Sequence, residues 1–308
     1  GAFYPPTFMP PTVIGLRDMD AGMDAGRFTF VLDIPPDFQS DVLAGKRPAI
    51  QLNVDATQMS QAFLGAGYIQ SIALAEVGEF LTGDRTNPTP VVDLALRNRF
   101  NPGLDNTWFM GVMELINNVT LLSIVLTGAA LIREREHGTI EHLLVLPVKP
   151  WEIMLAKVWA MGAVVLVATA LAMQFVLRDA LQMPVSGSIG LFLSGCALHL
   201  FATTSMGIYL GTVARSMPQM GLLMILVLLP LQILSGGMTP RESMPDVVRM
   251  LMMGAPTTHF VSFAQAILYR GADLGIVWPQ FAAIGLIGTV FFAAALTRFR
   301  GTVSRMQA

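Results

Sequence analysis

The chain has 308 residues, of which 53% are hydrophobic and only 13% are charged, and its mean hydropathy is +0.59. A soluble domain carries about 25% charged residues, so this composition excludes an ordinary soluble protein and indicates an integral membrane protein. The formal net charge is −2 and no basic patch with interleaved aromatic residues occurs, which argues against nucleic acid as a partner. The single cysteine, Cys196, lies within an apolar run, so the chain cannot form an internal disulfide.

The first 107 residues differ from the rest in charge and pattern. They contain 7 Lys/Arg against 12 Asp/Glu, a charge of −5, whereas the remainder has 12 against 9, a charge of +3. Period-two and β-branched patterns in this part predict strands, and two further stretches are typical of helices. The predicted elements are strands at 27–35, 49–55 and 90–100 and helices at 36–45 and 57–81. We therefore expect residues 1–107 to form a small α/β domain.

Five apolar stretches follow, each close to the roughly 20 residues that a helix needs to cross a bilayer. They lie at about 109–132, 158–177, 189–213, 219–236 and 276–297. These stretches predict an α-helical transmembrane bundle over residues 108–308. The side of the bundle that holds the loop 133–157 and the C-terminus carries eight Lys/Arg, against four on the opposite side. The positive-inside rule then makes the loop cytoplasmic and residues 1–107 extracytoplasmic.

The N-terminus shows no signal peptide and no apolar span. It starts with Gly1 and a proline-rich stretch, without an initiator methionine or a charged region followed by an apolar one. Translocation of residues 1–107 requires a cleaved signal peptide or an upstream span. We expect one of the two to precede Gly1.

Residues 237–275 are unlike an ordinary loop. A Ser-Gly-Gly sequence ends at Gly237, several prolines follow, and two short amphipathic pieces are predicted at 246–253 and 260–269. Irregular backbone at membrane depth must be covered by protein or face a water-filled cavity. The pattern favours a re-entrant or interfacial segment on the outer face, and an ordinary surface loop is the alternative.

The chain lacks the motifs of common catalytic and metal sites. No phosphate-binding Gly-x-x-x-x-Gly-Lys-Ser/Thr occurs, so we do not expect the chain to hydrolyse nucleotide by itself. His137 and His142 flank Glu141, but their spacing is one residue longer than that of the zinc peptidases, so no metal site is predicted. His199 and His259 each lie alone, which favours hydrogen-bonded structural roles.

The first visible span contains a polar group in its outer third, made of Glu114, Asn117 and Asn118. Ionisable groups within a bilayer usually face a bundle interior or a cavity, so these residues are candidates for the substrate path. The alternative is that Glu114 lies at the headgroup level and is simply hydrated.

Gly207 and Gly211 form a small-x-x-x-small pattern, which allows close approach of another helix. That helix could belong to the same chain or to a second copy.

The loop 133–157 contains alternating acids and bases, followed by a short amphipathic stretch with an apolar stripe. Pro147 and Pro150 end this stretch, and Trp151 to Lys157 begins the next helix. A helix of this kind at the membrane surface suits docking into a groove on a partner protein, or it lies passively in the interface. Physics alone does not separate the two.

The loop closely resembles the cytoplasmic signature of ABC type-2 exporter permeases, particularly the drug-efflux-like branch. The residues that carry this resemblance run from Arg133 through Gly138 and Thr139 to Leu144, followed by Pro147, Glu152 and Lys157. Further matches occur in the family's order at Leu32–Phe38, Leu43–Gly45, Phe100–Pro102, Ser235–Gly236, Pro240–Pro245 and Arg298–Arg300. Leu146 and Ala156 depart from the family's usual threonine and glycine.

The resemblance implies a sixth span before residue 1, ahead of the extracytoplasmic domain and the five visible spans. It also implies a permease that works as a dimer, homomeric or heteromeric, with cytoplasmic ATPase subunits in a bacterial inner membrane. It implies no cofactor in this chain, because ATP and magnesium bind to the partner subunit. The implied ATPase-coupling residues are Glu134, Glu136, Gly138, Thr139, Glu141 and Leu144. A membrane-anchored extracytoplasmic sensor or assembly scaffold is the alternative function. An ion-coupled secondary transporter is disfavoured, since neither inverted repeats nor midspan carboxylates are seen.

Overall fold

The computed structural model describes residues 3, 8–57, 59–82, 92–101, 103–138 and 148–306. The chain divides into two compact units, Gly1–Asn106 and Thr107–Ala308.

The first unit contains a three-stranded sheet with helices. In chain order its elements are α1 (Leu16–Asp24), β1 (Phe30–Asp33), α2 (Phe38–Leu43), β2 (Ala49–Asp55), α3 (Met59–Thr82) and β3 (Asp93–Arg99). The sheet order is β1-β2-β3, with β1 antiparallel and β3 parallel to the central β2. A parallel pair needs a long crossover, and α3 lies in the connection between β2 and β3. The three predicted strands and the two predicted helices of this region are confirmed.

The strand β2 is central to this unit because its apolar side chains contribute to both hydrophobic clusters of the unit. Leu52 and Val54 pack with Ala62 and Ile69 of α3. Ile50 packs with Val42 of α2 and with Val92, the residue before β3. At the end of β3, Arg99 binds two carboxylates of α1, Asp24 at 3.0 Å and Asp20. The helix α1 is thereby held to the edge strand.

The second unit is helical. Its elements are α4 (Asn106–Glu136), α5 (Pro150–Leu171) continued by a π-helix (Ala172–Ala180), α6 (Ile189–Val213), α7 (Met217–Ile233), a 3₁₀ turn (Arg241–Ser243), α8 (Asp246–Met253), α9 (Pro256–Leu268) and α10 (Leu274–Met306). Four helices of the described chain are long and apolar enough to cross a bilayer, namely α4, α5 with its π extension, α6 and α10.

The fourth predicted span, 219–236, is found as a helix that ends earlier than expected. The helix α7 has 17 residues, about 25 Å of helix, whereas the sequence predicted a span to residue 236. The helix ends at Ile233, and Gly236 soon after adopts a positive φ of 95°, a conformation that glycine accepts and other residues avoid. The described residues therefore contain four long apolar helices and one shorter apolar helix at the five predicted positions.

The segment 237–275 is partly as predicted. The helix α8 coincides with the predicted piece 246–253, and it exposes Val247, Met250 and Leu251. The second piece was predicted to be amphipathic from 260 to 269, and this is wrong. The helix α9 starts at Pro256 and is buried on nearly all sides, since Phe260 and Phe263 pack with Phe192 of α6.

Candidate functional site

The C-terminal end of α4, which the sequence predicts to be cytoplasmic, is followed by a glycine turn. The helix ends at Glu136, and Gly138 follows with a φ of 68°, so the chain turns away in a left-handed conformation. The His137 amide donates to the Arg133 carbonyl at 3.0 Å, and the Gly138 amide to the Arg135 carbonyl at 3.3 Å. Alanine at 138 would be strained by the backbone angle alone, although no described atom lies within 4 Å of its Cβ.

The two ends of the loop are joined by an ion pair. Lys157 of α5 donates to both carboxylate oxygens of Glu134 at the end of α4. The two side chains are only 14% and 29% exposed, so water screens this pair less than an ordinary surface pair. The ends of α4 and α5 are therefore held side by side where the loop leaves and re-enters the bundle.

A second contact joins the end of α4 to α6. The Arg135 guanidinium donates to the carbonyls of Ala214 at 2.8 Å and Gly211 at 3.1 Å, at the C-terminus of α6. The last carbonyls of a helix have no partners within the helix and carry partial negative charge. Arg135 satisfies two of these groups and fixes α6 against α4.

The start of α5 is capped from within. The Lys149 amide donates to a carboxylate oxygen of Glu152 at 2.7 Å, and Pro150 occupies the first helical turn. Beneath this polar layer, Leu131, Ile153, Val158, Ile208 and Phe299 form one apolar cluster with their neighbours. Four helices, α4, α5, α6 and α10, thus converge at the loop.

The structure describes only part of the predicted coupling set. Glu134 is paired, Glu136 is exposed and Gly138 makes the turn, whereas Thr139, Glu141 and Leu144 lie outside the described residues. The sequence analysis did not assign Arg135 to this site. The signal in the sequence was a basic residue in the last turn of α4, because such residues can bind the last carbonyls of a helix.

The buried face of α4 is bound to α6 by polar contacts. The Thr120 hydroxyl oxygen lies 2.9 Å from His199 Nε2, and the Ser123 hydroxyl donates to Thr203 Oγ1 at 2.7 Å. His199 also packs on the Phe260 ring, with the centroids 4.1 Å apart. The predicted structural role of His199 is confirmed, and that of His259 as well, whose Nε2 lies 2.9 Å from the Met253 carbonyl.

We expect a double-mutant cycle of Ser123→Ala and Thr203→Val to show positive coupling, because each hydroxyl loses its partner on the other helix when that partner is removed. Hydrogen bonds between transmembrane helices contribute about 0.6 kcal/mol on average, so coupling of about that size is expected. Equilibrium unfolding in mixed micelles measures it. Pairing Ser123→Ala with Thr212→Val, whose hydroxyl bonds within its own helix, is the matched control and should give no coupling.

The two glycines of α6 pack on α4 of the same chain. A Cβ added to Gly207 would lie 2.7 Å from the Ile124 carbonyl oxygen, and one added to Gly211 would lie 3.2 Å from the Gly128 carbonyl oxygen. Both residues are buried. The glycine face is therefore covered within the chain and does not meet a second copy.

The polar group of the first span lies on the opposite, exposed face of α4. Asn118 Nδ2 donates to Glu114 Oε1 at 2.7 Å and to the Glu114 carbonyl at 3.0 Å, and both residues are exposed. Asn117 is half-buried and takes no part in this hydrogen-bonded pair. Within the described residues, no three His, Cys, Asp or Glu side chains form a group that could hold a metal.

A family model described as "ABC-2 family transporter protein" matches residues 13–297. The chain belongs to this family. The predicted family is thus confirmed, and the apolar helices make this ABC-2 transporter protein a multi-pass membrane protein.

Curated relatives support the same assignment. The chain is 62% identical over 305 residues to the inner membrane transport permease YhhJ of Escherichia coli K12, and the match covers 99% of this chain and 82% of the relative. It is 28% identical over 284 residues to the probable multidrug ABC transporter permease YbhR of the same strain, covering 91% and 76%. With the probable multidrug ABC transporter permease YbhS the identity is 25% over 294 residues, covering 92% and 74%. These ABC-2 relatives all carry the word permease in their names.

Proposed function

We propose that this chain is the membrane-spanning permease subunit of an ATP-binding-cassette exporter. It lies in a bacterial inner membrane and moves substrate out of the cytoplasm or the inner leaflet, driven by ATP hydrolysis in a separate subunit. The family and the inner-membrane permease at 62% identity support transport and location. The chain itself performs no catalysis, and ATP with magnesium binds to the partner ATPase.

The observation that carries the proposal is the set of contacts that joins three helices at the ends of the loop 133–157. Glu134–Lys157 joins α4 to α5, and Arg135 joins α4 to α6, so a force applied to the loop reaches three helices at once. A passive surface loop needs no such junction. We infer that ATP binding draws the partner ATPases together, moves the loop, and tilts the helices to which it is attached.

The remaining assignments complete the proposal. Residues 1–107 form a small extracytoplasmic α/β domain, 237–275 is a re-entrant or interfacial segment on the outer face, and a second permease completes the transporter. Glu114, Asn117 and Asn118 line the substrate path. The sheet of the first unit and the polar face of α4 support these assignments.

Co-purification with candidate ATPase subunits tests the proposal. We expect Glu141→Lys combined with Leu144→Asp to abolish complex formation and ATP-driven transport, because the two changes reverse a charge and remove an apolar residue of the predicted coupling helix. ATPase retention on the tagged permease and transport in vesicles are the measurements.

The matched control makes the same changes in the first unit, at Asp37 and Leu43, which are both exposed. Asp37→Lys with Leu43→Asp should leave ATPase binding unchanged. If the loop double variant also binds and transports normally, the coupling proposal is wrong. A complex whose ATPase rate never responds to the permease would favour the sensor or scaffold.

A further inference from the structure

The exposed face of α4 is a stripe with a polar and an apolar part. Its members recur every four residues and comprise Met110, Glu114, Asn118, Leu122 and Leu126. Leu122 and Leu126 are 38% and 37% exposed, so they present surface to a neighbour. At 3.6 residues per turn, positions four apart are offset by about 40°, so the stripe winds along the exposed part of α4, away from the face bound to α6.

The stripe changes character with depth. Glu114 precedes Arg133, the first charge at the cytoplasmic end, by 19 residues, which is about 28 Å of helix. This places the carboxylate at the outer boundary of a hydrocarbon core about 30 Å thick. Asn118 lies one turn deeper, and the two leucines lie deeper still.

The carboxylate has a polar neighbour but no cation in the described chain. Asn118 donates to Glu114 Oε1 at 2.7 Å, and no described Lys, Arg or His forms an ion pair with Glu114. It is also the one ionisable residue of the described chain between Asn106 and Ile132. A carboxylate at a membrane boundary without a counter-ion attracts positive charge more strongly than it does in water.

We propose that this stripe, Met110, Glu114, Asn118, Leu122 and Leu126, selects cationic amphiphiles as substrates. The cationic head binds Glu114 at the outer boundary, and the apolar body lies along Leu122 and Leu126 toward the middle of the bilayer. Asn118 positions the carboxylate through its hydrogen bond. The inference rests on the proposed exporter function and adds the chemical class of substrate.

The test uses three probes with one apolar body: diphenylhexatriene with a trimethylammonium group, its neutral parent, and its propionate. The complete permease–ATPase complex is reconstituted in vesicles, and ATP-driven probe movement is followed by fluorescence. We expect the wild type to prefer the cation. Glu114→Gln should raise the half-saturating concentration of the cation about tenfold or more, because a hydrogen bond or ion pair to a charged group is lost.

The same variant should change the half-saturating concentration of the neutral parent by less than about twofold, since the glutamine keeps the shape and the partner of Glu114. Glu114→Lys should reverse the preference toward the propionate. Asp179→Asn, which neutralises an exposed carboxylate at the outer end of the α5 extension, is the matched control and should alter no probe.

Three outcomes overturn the inference. Equal losses for all three probes in Glu114→Gln would mean a structural role, and no loss would mean a hydrated bystander. A third is a disulfide between two copies carrying Leu122→Cys together with unchanged probe selectivity, which would assign the stripe to the contact between permeases. ATP-driven movement of any probe in these cases leaves the exporter function standing, whereas failure to bind any ATPase would remove the proposed function itself.

Discussion

Glu134→Lys is expected to uncouple the permease from its ATPase, and the exchange Glu134→Lys with Lys157→Glu is expected to restore coupling. The single change puts two cations where the ion pair between α4 and α5 now lies. The pair is partly buried, so we expect a loss of about 1–3 kcal/mol in the alignment of the two helix ends, less than for a fully buried pair. That energy corresponds to about a 5- to 150-fold change in an equilibrium.

Substrate-stimulated ATPase activity of the reconstituted complex is the measurement. The single variants Glu134→Lys and Lys157→Glu should each lower the stimulation, and the exchanged pair should recover most of it because the attraction is restored with reversed polarity. The exposed pair Lys46–Asp41 in the first unit, at 2.7 Å, provides the control. Reversing it should leave stimulation unchanged, and failure of the Glu134–Lys157 exchange to recover activity would show that the identity of the charges, rather than their pairing, matters to the ATPase.

Local patterns predicted the elements well where one physical rule dominates. The strand 49–55 was predicted with the bounds that β2 has, Ala49–Asp55, because apolar and polar positions alternate. The spans were found because a run of about 20 apolar residues is typical of a membrane-spanning helix. The helix α7 was also found by this rule, but it ends at Ile233, before the predicted end at 236, because the backbone turns at Gly236.

Contacts between distant elements could not be predicted from such patterns. Arg135 binds carbonyls of α6 that are 76 and 79 residues away, and no periodicity encodes that distance. The piece 260–269 was predicted to be amphipathic, yet the surrounding helices bury its polar Gln265 together with its apolar residues. The π-helix at the end of α5 had no sequence signal that we recognise.

The glycine pattern of α6 illustrates the same limit. The spacing of Gly207 and Gly211 predicts a close helix contact, but tertiary packing decides which helix makes it. The structure identifies it as α4 of the same chain, through Ile124 and Gly128. This contact continues a series that begins at Thr120–His199 and ends at Arg135, so α4 and α6 are joined along most of their shared length.

We expect Gly207→Leu to destabilise the permease by about 3 kcal/mol, the upper end of the usual cost of overpacking. Its Cβ would lie 2.7 Å from the carbonyl oxygen of Ile124, a backbone atom that cannot move without displacing α4. Gly211→Ala should cost less, because its nearest atoms, on the Leu131 side chain and the Gly128 carbonyl, lie at 3.1 and 3.2 Å rather than at 2.7 Å. Equilibrium unfolding in mixed micelles gives the free energies.

The control is Gly221→Leu in α7, because no described atom lies within 4 Å of a Cβ at that position. It should be neutral or slightly stabilising, since glycine is the weaker helix former. If Gly207→Leu proves as stable as Gly221→Leu, α4 and α6 separate without cost and cannot move as one body. If it is destabilised as expected, transport should fall more steeply than ATPase binding. The loop would still dock on the ATPase, but its motion would no longer reach α6 through α4.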